Sequence, residues 1–408
     1  MTPGRGCLSC GAKPLAVVLS LGRTPLANAL LDEADLGRPE PTYPLDLALC
    51  RSCSLVQLTE SVPPEKLFRE YPYFSSYSDT MLAHARELAD RMVRSRRLGP
   101  GSLVIEAASN DGYLLRNYKA AGVPVLGIEP ARNVARHARE EHGVPTREEF
   151  FTAEFARRLA AEGLRADVFH AHNVLAHVPD LNGFVDGVRE VLKPGGVAVV
   201  EVPYVKDMLD GCEFDTIYHE HLCYFSLTAL DRCFRRHGLP ITDVERVPIH
   251  GGSLRLFASP GSTPGPRMEA LLAEEESWGV ATLAPYRAFA GRVERIRIDL
   301  RELLGRLKSE GKRVAAYGAS AKGSTLLNYC GIGRETLDFV ADRSPVKQGR
   351  YTPGTRLRVC APSRLLDAMP DYTLLLTWNF ADEILAQQAE YRRRGGRFIL
   401  PVPEPRVA

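Results

Sequence analysis

Two separate stretches of this chain repeat one alternation, a short apolar run followed by a helix-patterned run. That alternation constrains the fold more than any other feature. In the first stretch the apolar runs are "SLVIEAAS", "PVLGIEPA", "ADVFHAHNV" and "GGVAVVEVPY". In the second they fall in "KRVAAYGASAKGSTLLNYC", "LDFVADRS", "TLLLTW" and "GGRFILPVP". Strands joined through helices build parallel sheets, so the fold class is α/β. A chain of 408 residues is also too long for one core. The segment "STPGPR" (262–267) reads as the linker between the two units. Residues 268–308 read as one or two long helices, with Ile296, Ile298, Leu300, Leu303, Leu304 and Leu307 near the end. Residues 79–98 place Met81, Leu82, Ala85, Leu88, Ala89 and Met92 on one helical face, and Asp79 is suited to cap it.

Residues 1–70 follow neither pattern. They are rich in Pro, Leu and Cys and hold two pairs, Cys7-Leu-Ser-Cys10 and Cys50-Arg-Ser-Cys53, with 39 residues between Cys10 and Cys50. Each C-x-x-C is a knuckle whose turn aims two sulfurs at one ion, and two knuckles make a tetrahedral four-thiolate zinc site. Four thiolates leave no open position for a substrate, so the zinc is structural. The start "MTPGRGCLSCG" has no apolar signal core, and no run of about 18 apolar residues occurs. A cytoplasmic chain with no membrane partner is expected. Nine cysteines there favour metal ligation or buried thiols over disulfides. The net charge of +2, with no basic stripe, argues against a nucleic-acid partner.

"SLVIEAASNDGYLL" (102–115) is a strand, a turn of small residues and a helix start. The turn runs from Glu106 through Ala108, Ser109, Asn110 and Asp111 to Gly112. Small residues let the backbone approach a ligand, and Gly112 is free to take an unusual dihedral. Glu129, before Pro130 at the end of the next strand, suits the two hydroxyls of a ribose. The G-x-G-x-x-G of dinucleotide sites is missing, and Glu106 and Asp111 make the turn acidic. A diphosphate fits that poorly. S-adenosylmethionine, with an ammonium and a sulfonium, fits better. Asn173 and His177 fall at the carboxyl ends of the strands, where open α/β sheets bind ligands.

"YHEHLCYF" (218–225) holds two histidines, a glutamate and two tyrosines. Extended, it would put His219 and His221 on one face and Tyr218 and Glu220 on the other. A metal site there lacks a third ligand and the i, i+4 histidine pair of helical sites. In the C-terminal unit "AAYGASAKGSTLLNY" resembles a second nucleotide-binding turn, in which Ser320 opens a helix and Lys322 is placed to offset diphosphate charge. Lys347 in "KQGRYTP", and His250, Ser253 and Arg255 in "HGGSLR", are further candidates for contact with substrate.

Taken in order, the paired C-x-x-C, "LGRTPLANAL", "YPYFSSYSDTMLAHA", "IEAASNDGYLL", "NVLAHVPDL", "YHEHLCYFS", "GGSLR", "AYGASAKGSTLLNYC", "KQGRYTPGT", "LLLTWNFADEIL" and "FILPVPEP" resemble the S-adenosylmethionine-dependent sugar C-methyltransferases of antibiotic deoxysugar pathways. The resemblance covers nearly the whole chain. It implies an N-terminal zinc-binding module (1–70), a central Rossmann-like methyltransferase domain (71–262) and a C-terminal Rossmann-like domain (263–408) that helps hold the sugar nucleotide. The implied substrate is a dTDP-linked 4-keto-deoxysugar methylated at C-3. The implied base is His221, with Tyr218 and Glu220 close by and His177 a second polar group facing the sugar. His219 is the main competitor for the role of base. Tyr73 and Tyr77 come over the site, where a hydroxyl is able to meet the 4-oxygen. Glu106, Ala108, Ser109, Asn110, Gly112, Glu129, Pro130 and Asn173 would hold the methyl donor. Competing readings are an O- or N-methyltransferase and a zinc-ribbon protein that binds nucleic acid. A monomer or small homo-oligomer is expected.

Overall fold

The computed structural model describes residues 6–68, 75–77, 79–249 and 251–408. Tyr73, His250 and the side chain of Tyr77 lie outside the described residues. Three sheets organise the chain. The N-terminal sheet is antiparallel and runs β1 (Ala16–Thr24), β2 (Tyr43–Leu49), β3 (Val56–Leu58) and β9 (Cys223–Tyr224). Its last strand comes from the octapeptide 218–225, with Val56 opposite Tyr224 and Gln57 opposite Cys223. The segment that carries the two histidines is therefore sewn into the zinc-binding module.

The central sheet has seven strands. β4 (Val104–Ala107), β5 (Val125–Ile128), β6 (Thr146–Arg147), β7 (Ala166–His172) and β8 (Leu192–Pro203) are parallel, and β10 (Ile241–Val247) and β11 (Ser253–Ala258) add antiparallel strands beyond β8. The order is β10-β11-β8-β7-β4-β5-β6. Every residue of β4 and β5 is buried. This explains why they read as continuous apolar runs and not as alternating ones: helices cover both faces. The chain leaves β4 towards β5 on one side and has β7 on the other. That reversal opens a crevice at the carboxyl ends of β4 and β7, the place where such sheets take ligands.

The helix Asp79–Arg96 covers one face through Met81, Ala85, Leu88, Ala89 and Met92. Two helices, Pro266–Trp278 and Ala284–Ser309, lead to the C-terminal sheet, and Gly279 in the left-handed conformation ends the first. The buried stripe of the second is Tyr286, Phe289, Val293, Ile296, Leu300, Leu304 and Leu307. Ile298 falls off that stripe and is 46% exposed, and Leu303 is only half-buried. The C-terminal sheet runs β14 (Val359–Cys360), β13 (Val340–Ala341), β12 (Val314–Tyr317), β15 (Tyr372–Leu375), β16 (Arg397–Leu400) and β17 (Arg406–Val407), all parallel except β17. No described helix is long and apolar enough to cross a membrane.

Candidate active site

The two cysteine knuckles close on each other. Cys7 and Cys53 sulfurs are 3.4 Å apart, those of Cys10 and Cys50 are 3.5 Å apart, and all four lie within 4.8 Å of one another. A zinc ion with bonds of about 2.3 Å needs tetrahedral sulfurs roughly 3.8 Å apart, so the cluster fits. Each knuckle closes with the same backbone bond, Gly11 N–H to Cys7 O at 2.9 Å and Ser54 N–H to Cys50 O at 2.8 Å, and both donors have positive φ. Arg236 reaches Ser9 and Arg232 reaches the Ser52 carbonyl, which fastens the module to the central domain.

The turn after β4 lacks the usual glycines, yet its backbone behaves as if they were present. Ala108 and Asn110 have φ near +50° and Gly112 has +80°. Two non-glycine residues in the left-handed region store about 1–2 kcal/mol each, a strain that clusters at ligand sites. Glu129 holds the turn: its carboxylate accepts from Asn110 N and Ala131 N, both at 2.9 Å. Asn110 in turn accepts from Ser75 N at 2.8 Å. Ser109 is fully buried beside Gly127, while Ala108 and Pro130 are half-buried.

Both carboxylate oxygens of Glu106 are buried with no hydrogen-bond partner among the described residues. Burial first, then the charges of Asp111, Glu129 and Glu201, drives its pKa well above the carboxylate range. Burial also raises Glu129 to about 7, against the pull of its two backbone donors. Asn173, at φ +56°, has a buried and unpartnered Oδ1 near the end of β7. Buried carboxylates without cations are costly. A ligand with an ammonium and a sulfonium answers that deficit, and a diphosphate would worsen it. The turn therefore fits S-adenosylmethionine.

The octapeptide is not extended. His221 N–H donates to the Tyr218 carbonyl at 2.9 Å, closing a turn that brings Tyr218 and His221 to one side. This corrects the alternating pattern expected from the sequence. The Tyr218 hydroxyl lies 2.9 Å from His221 Nε2, and His221 Nδ1 lies 2.8 Å from the Thr216 carbonyl. A carbonyl only accepts, so Nδ1 carries the proton and Nε2 takes the Tyr218 hydrogen bond. His177 repeats the arrangement, with Nδ1 2.6 Å from the Glu220 carbonyl and its ring centroid 4.9 Å from that of His221. Burial lowers the His177 pKa, so its imidazole is neutral at pH 7.

His219 points elsewhere. It is buried against the Pro44 carbonyl at 3.2 Å and the Tyr43 ring, in the N-terminal sheet. It belongs to the packing of that module, so His177, and not His219, is the partner of His221. Glu220 is buried, accepts from Asn28 Nδ2 at 2.6 Å, and is pushed up to about 7 by burial. Asn28, in "LGRTPLANAL", is a site contact that the sequence did not single out.

The expected substrate contacts divide. Arg255 is not open to a ligand: it is 7% exposed and its guanidinium meets Glu201, Glu245 and His84. The cause is strand pairing, which sets Arg255 of β11 directly opposite Glu201 of β8. Ser253 is likewise buried, donating to the Ile249 carbonyl at 3.0 Å. Ser320 caps the helix Ala321–Cys330 by accepting from Gly323 N at 3.0 Å. Lys322 lies 3.8 Å from Glu213 and over the Trp378 ring, and Trp378 donates to Asp215 at 2.7 Å. Thr325 donates to the Ile217 carbonyl at 3.1 Å. The start of the helix Ala321–Cys330 thus docks on residues 213–217, immediately before the octapeptide. Lys347 donates to the Ala319 carbonyl at 2.9 Å, just before that helix.

A buried polar row, unforeseen from the sequence, crosses the sheet from the helix Leu115–Ala120 through β7 to β8. Tyr118 hydroxyl to His170 is 2.7 Å, His170 to His172 is 2.9 Å and His172 to Glu201 is 3.1 Å. Burial opposes ionisation of Glu201, but His172, His84 and Arg255 more than offset it and hold its pKa well below the usual range. The row uses Arg255 to neutralise Glu201, which leaves Glu106, beside His170 in the sheet register, without a cation. The available signal was the polar "FHAHN" inside an otherwise apolar strand.

Three family models match the chain: "Putative zinc binding domain" over residues 7–68, "Methyltransferase domain" over 81–244 and "C-methyltransferase C-terminal domain" over 248–403. The C-methyltransferase NovU of Streptomyces niveus is 41% identical over 98% of this chain and 96% of its own length. A ubiquinone biosynthesis O-methyltransferase of a Methylobacterium species is 30% identical over 30% of this chain and 50% of its own. Among solved structures, magnesium protoporphyrin IX methyltransferase of Synechocystis with bound S-adenosylhomocysteine covers 44% of this chain and 83% of its own, at 14% identity and a TM-score of 0.36.

Proposed function

The chain belongs to the S-adenosylmethionine-dependent C-methyltransferase family, and we propose that it methylates C-3 of a nucleotide-linked, dTDP-type 4-keto-deoxysugar. A hydrogen on carbon beside a ketone is removable because the electron pair left behind spreads onto the carbonyl oxygen. The chain has to supply a base at C-3, donors at the 4-oxygen and a fixed line of approach. Bound S-adenosylmethionine supplies the methyl group to that carbon as its methyl–sulfur bond breaks.

The observation that carries this reading is the histidine pair. His221 and His177 each have Nδ1 committed to a backbone carbonyl, which leaves Nε2 as the basic nitrogen of His221. His221 Nε2 takes the C-3 proton in this account. The Tyr218 hydroxyl, which fills the single lone pair of that nitrogen in the substrate-free site, has to turn off it as the sugar enters, and His177 is the second polar group facing the sugar. Glu220, with a pKa near 7, is protonated often enough to donate a hydrogen bond, and Asn28 fixes its direction. Tyr73 and Tyr77 are assigned to the 4-oxygen. Ser320, Lys322 and Lys347 are assigned to the nucleotide half of the substrate. Two features support that assignment: the helix cap at Ser320 and the contact of this turn with the segment leading into Tyr218.

Proton abstraction from carbon has its own readout. In D2O, without methyl donor, the enzyme is expected to exchange the C-3 hydrogen of a dTDP-4-keto-deoxysugar, and mass spectrometry counts the deuterium. Transfer to oxygen or nitrogen requires no such exchange. Methyl transfer to the same sugar with no deuterium uptake at C-3 refutes the carbon assignment.

A further inference from the structure

Besides the four cysteines, one other set of three ligating side chains brings its ligand atoms within 4.8 Å of one another among the described residues. Asp111 of the cofactor turn, His137 of the helix Arg132–Glu140, and His142 just past that helix bring one carboxylate oxygen and two ring nitrogens within 4.8 Å of one another. Asp111 is fully buried; its Oδ2 accepts from Ser76 N at 3.1 Å, and its Oδ1 has no partner among the described residues. His142 Nε2 is also buried and unpartnered. The two imidazoles stand edge to face at 89°, with centroids 5.4 Å apart, so they are not stacked. A buried polar atom without a partner is costly, and a cation held by these converging residues would offset that cost.

We propose that Asp111, His137 and His142 form a second metal site, for a first-row divalent transition-metal ion, separate from the four-cysteine zinc. Two imidazoles and one carboxylate suit zinc, cobalt, nickel or iron(II), whereas calcium and magnesium require oxygen ligands throughout. Both histidines are half-buried, which leaves a path from solvent, and water completes the coordination shell. The charges facing His142 are mixed: Asp111 and Glu141 favour a cation, and Arg116 and His137 oppose it. Moderate affinity follows, well below that of the thiolate centre. A metal here would tie the cofactor turn to the helix that follows Glu129, bracing the pocket from outside.

The test uses full-length, tag-free protein with zinc in its cysteine site, titrated with Co2+ by calorimetry and visible absorption. One saturable equivalent is expected, with the pale bands of nitrogen and oxygen ligation and no thiolate charge-transfer band. H137A and H142A should each weaken this uptake by at least about tenfold, since even outer-shell changes at metal sites cost that much. No saturable uptake beyond the cysteine centre overturns the proposal, as does unchanged affinity in both variants. The stoichiometry of the unsubstituted protein decides the matter even if a variant fails to fold.

Discussion

With S-adenosylmethionine held in the turn as proposed, Glu129 and Glu106 should make its binding a proton-linked event. Burial holds Glu129 at about 7 and Glu106 higher still, both above the ordinary 4.5. In the ligand-free protein each therefore favours its neutral form. The stability this lends is complete below the ordinary value and is lost as pH rises through the folded one. The ammonium and sulfonium of the donor, with its ribose hydroxyls donating to Glu129, would reverse the preference, so binding should expel protons and strengthen as pH rises. If binding returns Glu129 from about 7 to about 4.5, the Kd for S-adenosylmethionine is about 15-fold weaker at roughly pH 5.5 than at roughly pH 7.0. Glu106 steepens that dependence. The α-amino group of the donor stays charged across this window because it titrates near about 8. Calorimetry in two buffers of different ionisation enthalpy measures both affinity and proton release. S-adenosylhomocysteine, which lacks the sulfonium, should show a shallower slope, and Glu129→Gln should flatten the slope for the methyl donor. An affinity constant within about twofold across the window, with no proton release, refutes the reasoning.

Chelating the zinc should unfold the N-terminal sheet, because structural zinc sites contribute on the order of 10 kcal/mol. β3 pairs with β9, so turnover should be lost with the metal, as seen by limited proteolysis and activity against zinc content. His221→Asn should lower kcat by about 10²–10⁴-fold with unchanged affinity for the methyl donor; His219→Asn should leave kcat within a few-fold and lower the melting temperature instead. Normal turnover in His221→Asn removes that residue from the role of base. Gly127→Ala would set a Cβ 2.5 Å from Ser109 Oγ and 2.9 Å from Thr146 Oγ1. Overpacking of this kind costs about 1–3 kcal/mol, readable in a denaturant melt.

Much of the architecture is legible locally. β4 and β5 are buried on both faces, so "LVIEA" and "VLGI" advertise themselves as unbroken apolar runs. The cysteine pairs and the acidic turn likewise carry their chemistry in a few adjacent residues. What the sequence hides is long-range pairing and backbone handedness. Arg255 reads as a ligand contact until β11 is laid beside β8 and Glu201 claims it. His219 and His221 look equivalent until the turn at Tyr218 sends one into the N-terminal sheet and the other towards His177. Ala108 and Asn110 adopt glycine-like dihedrals without glycine, so no glycine motif announces the turn after β4. Ile298 is apolar yet lies off the buried stripe, because the pattern near the helix end is broader than the face it packs.

The central claim is that the methyl group goes to carbon. Incubation with S-adenosylmethionine labelled with 13C in its methyl group and a dTDP-4-keto-deoxysugar, followed by 13C–1H NMR of the product, reads the new bond directly. The account predicts a label in a methyl group bonded to C-3, with three-bond correlations to the C-4 carbonyl carbon. A label found on oxygen or nitrogen contradicts it.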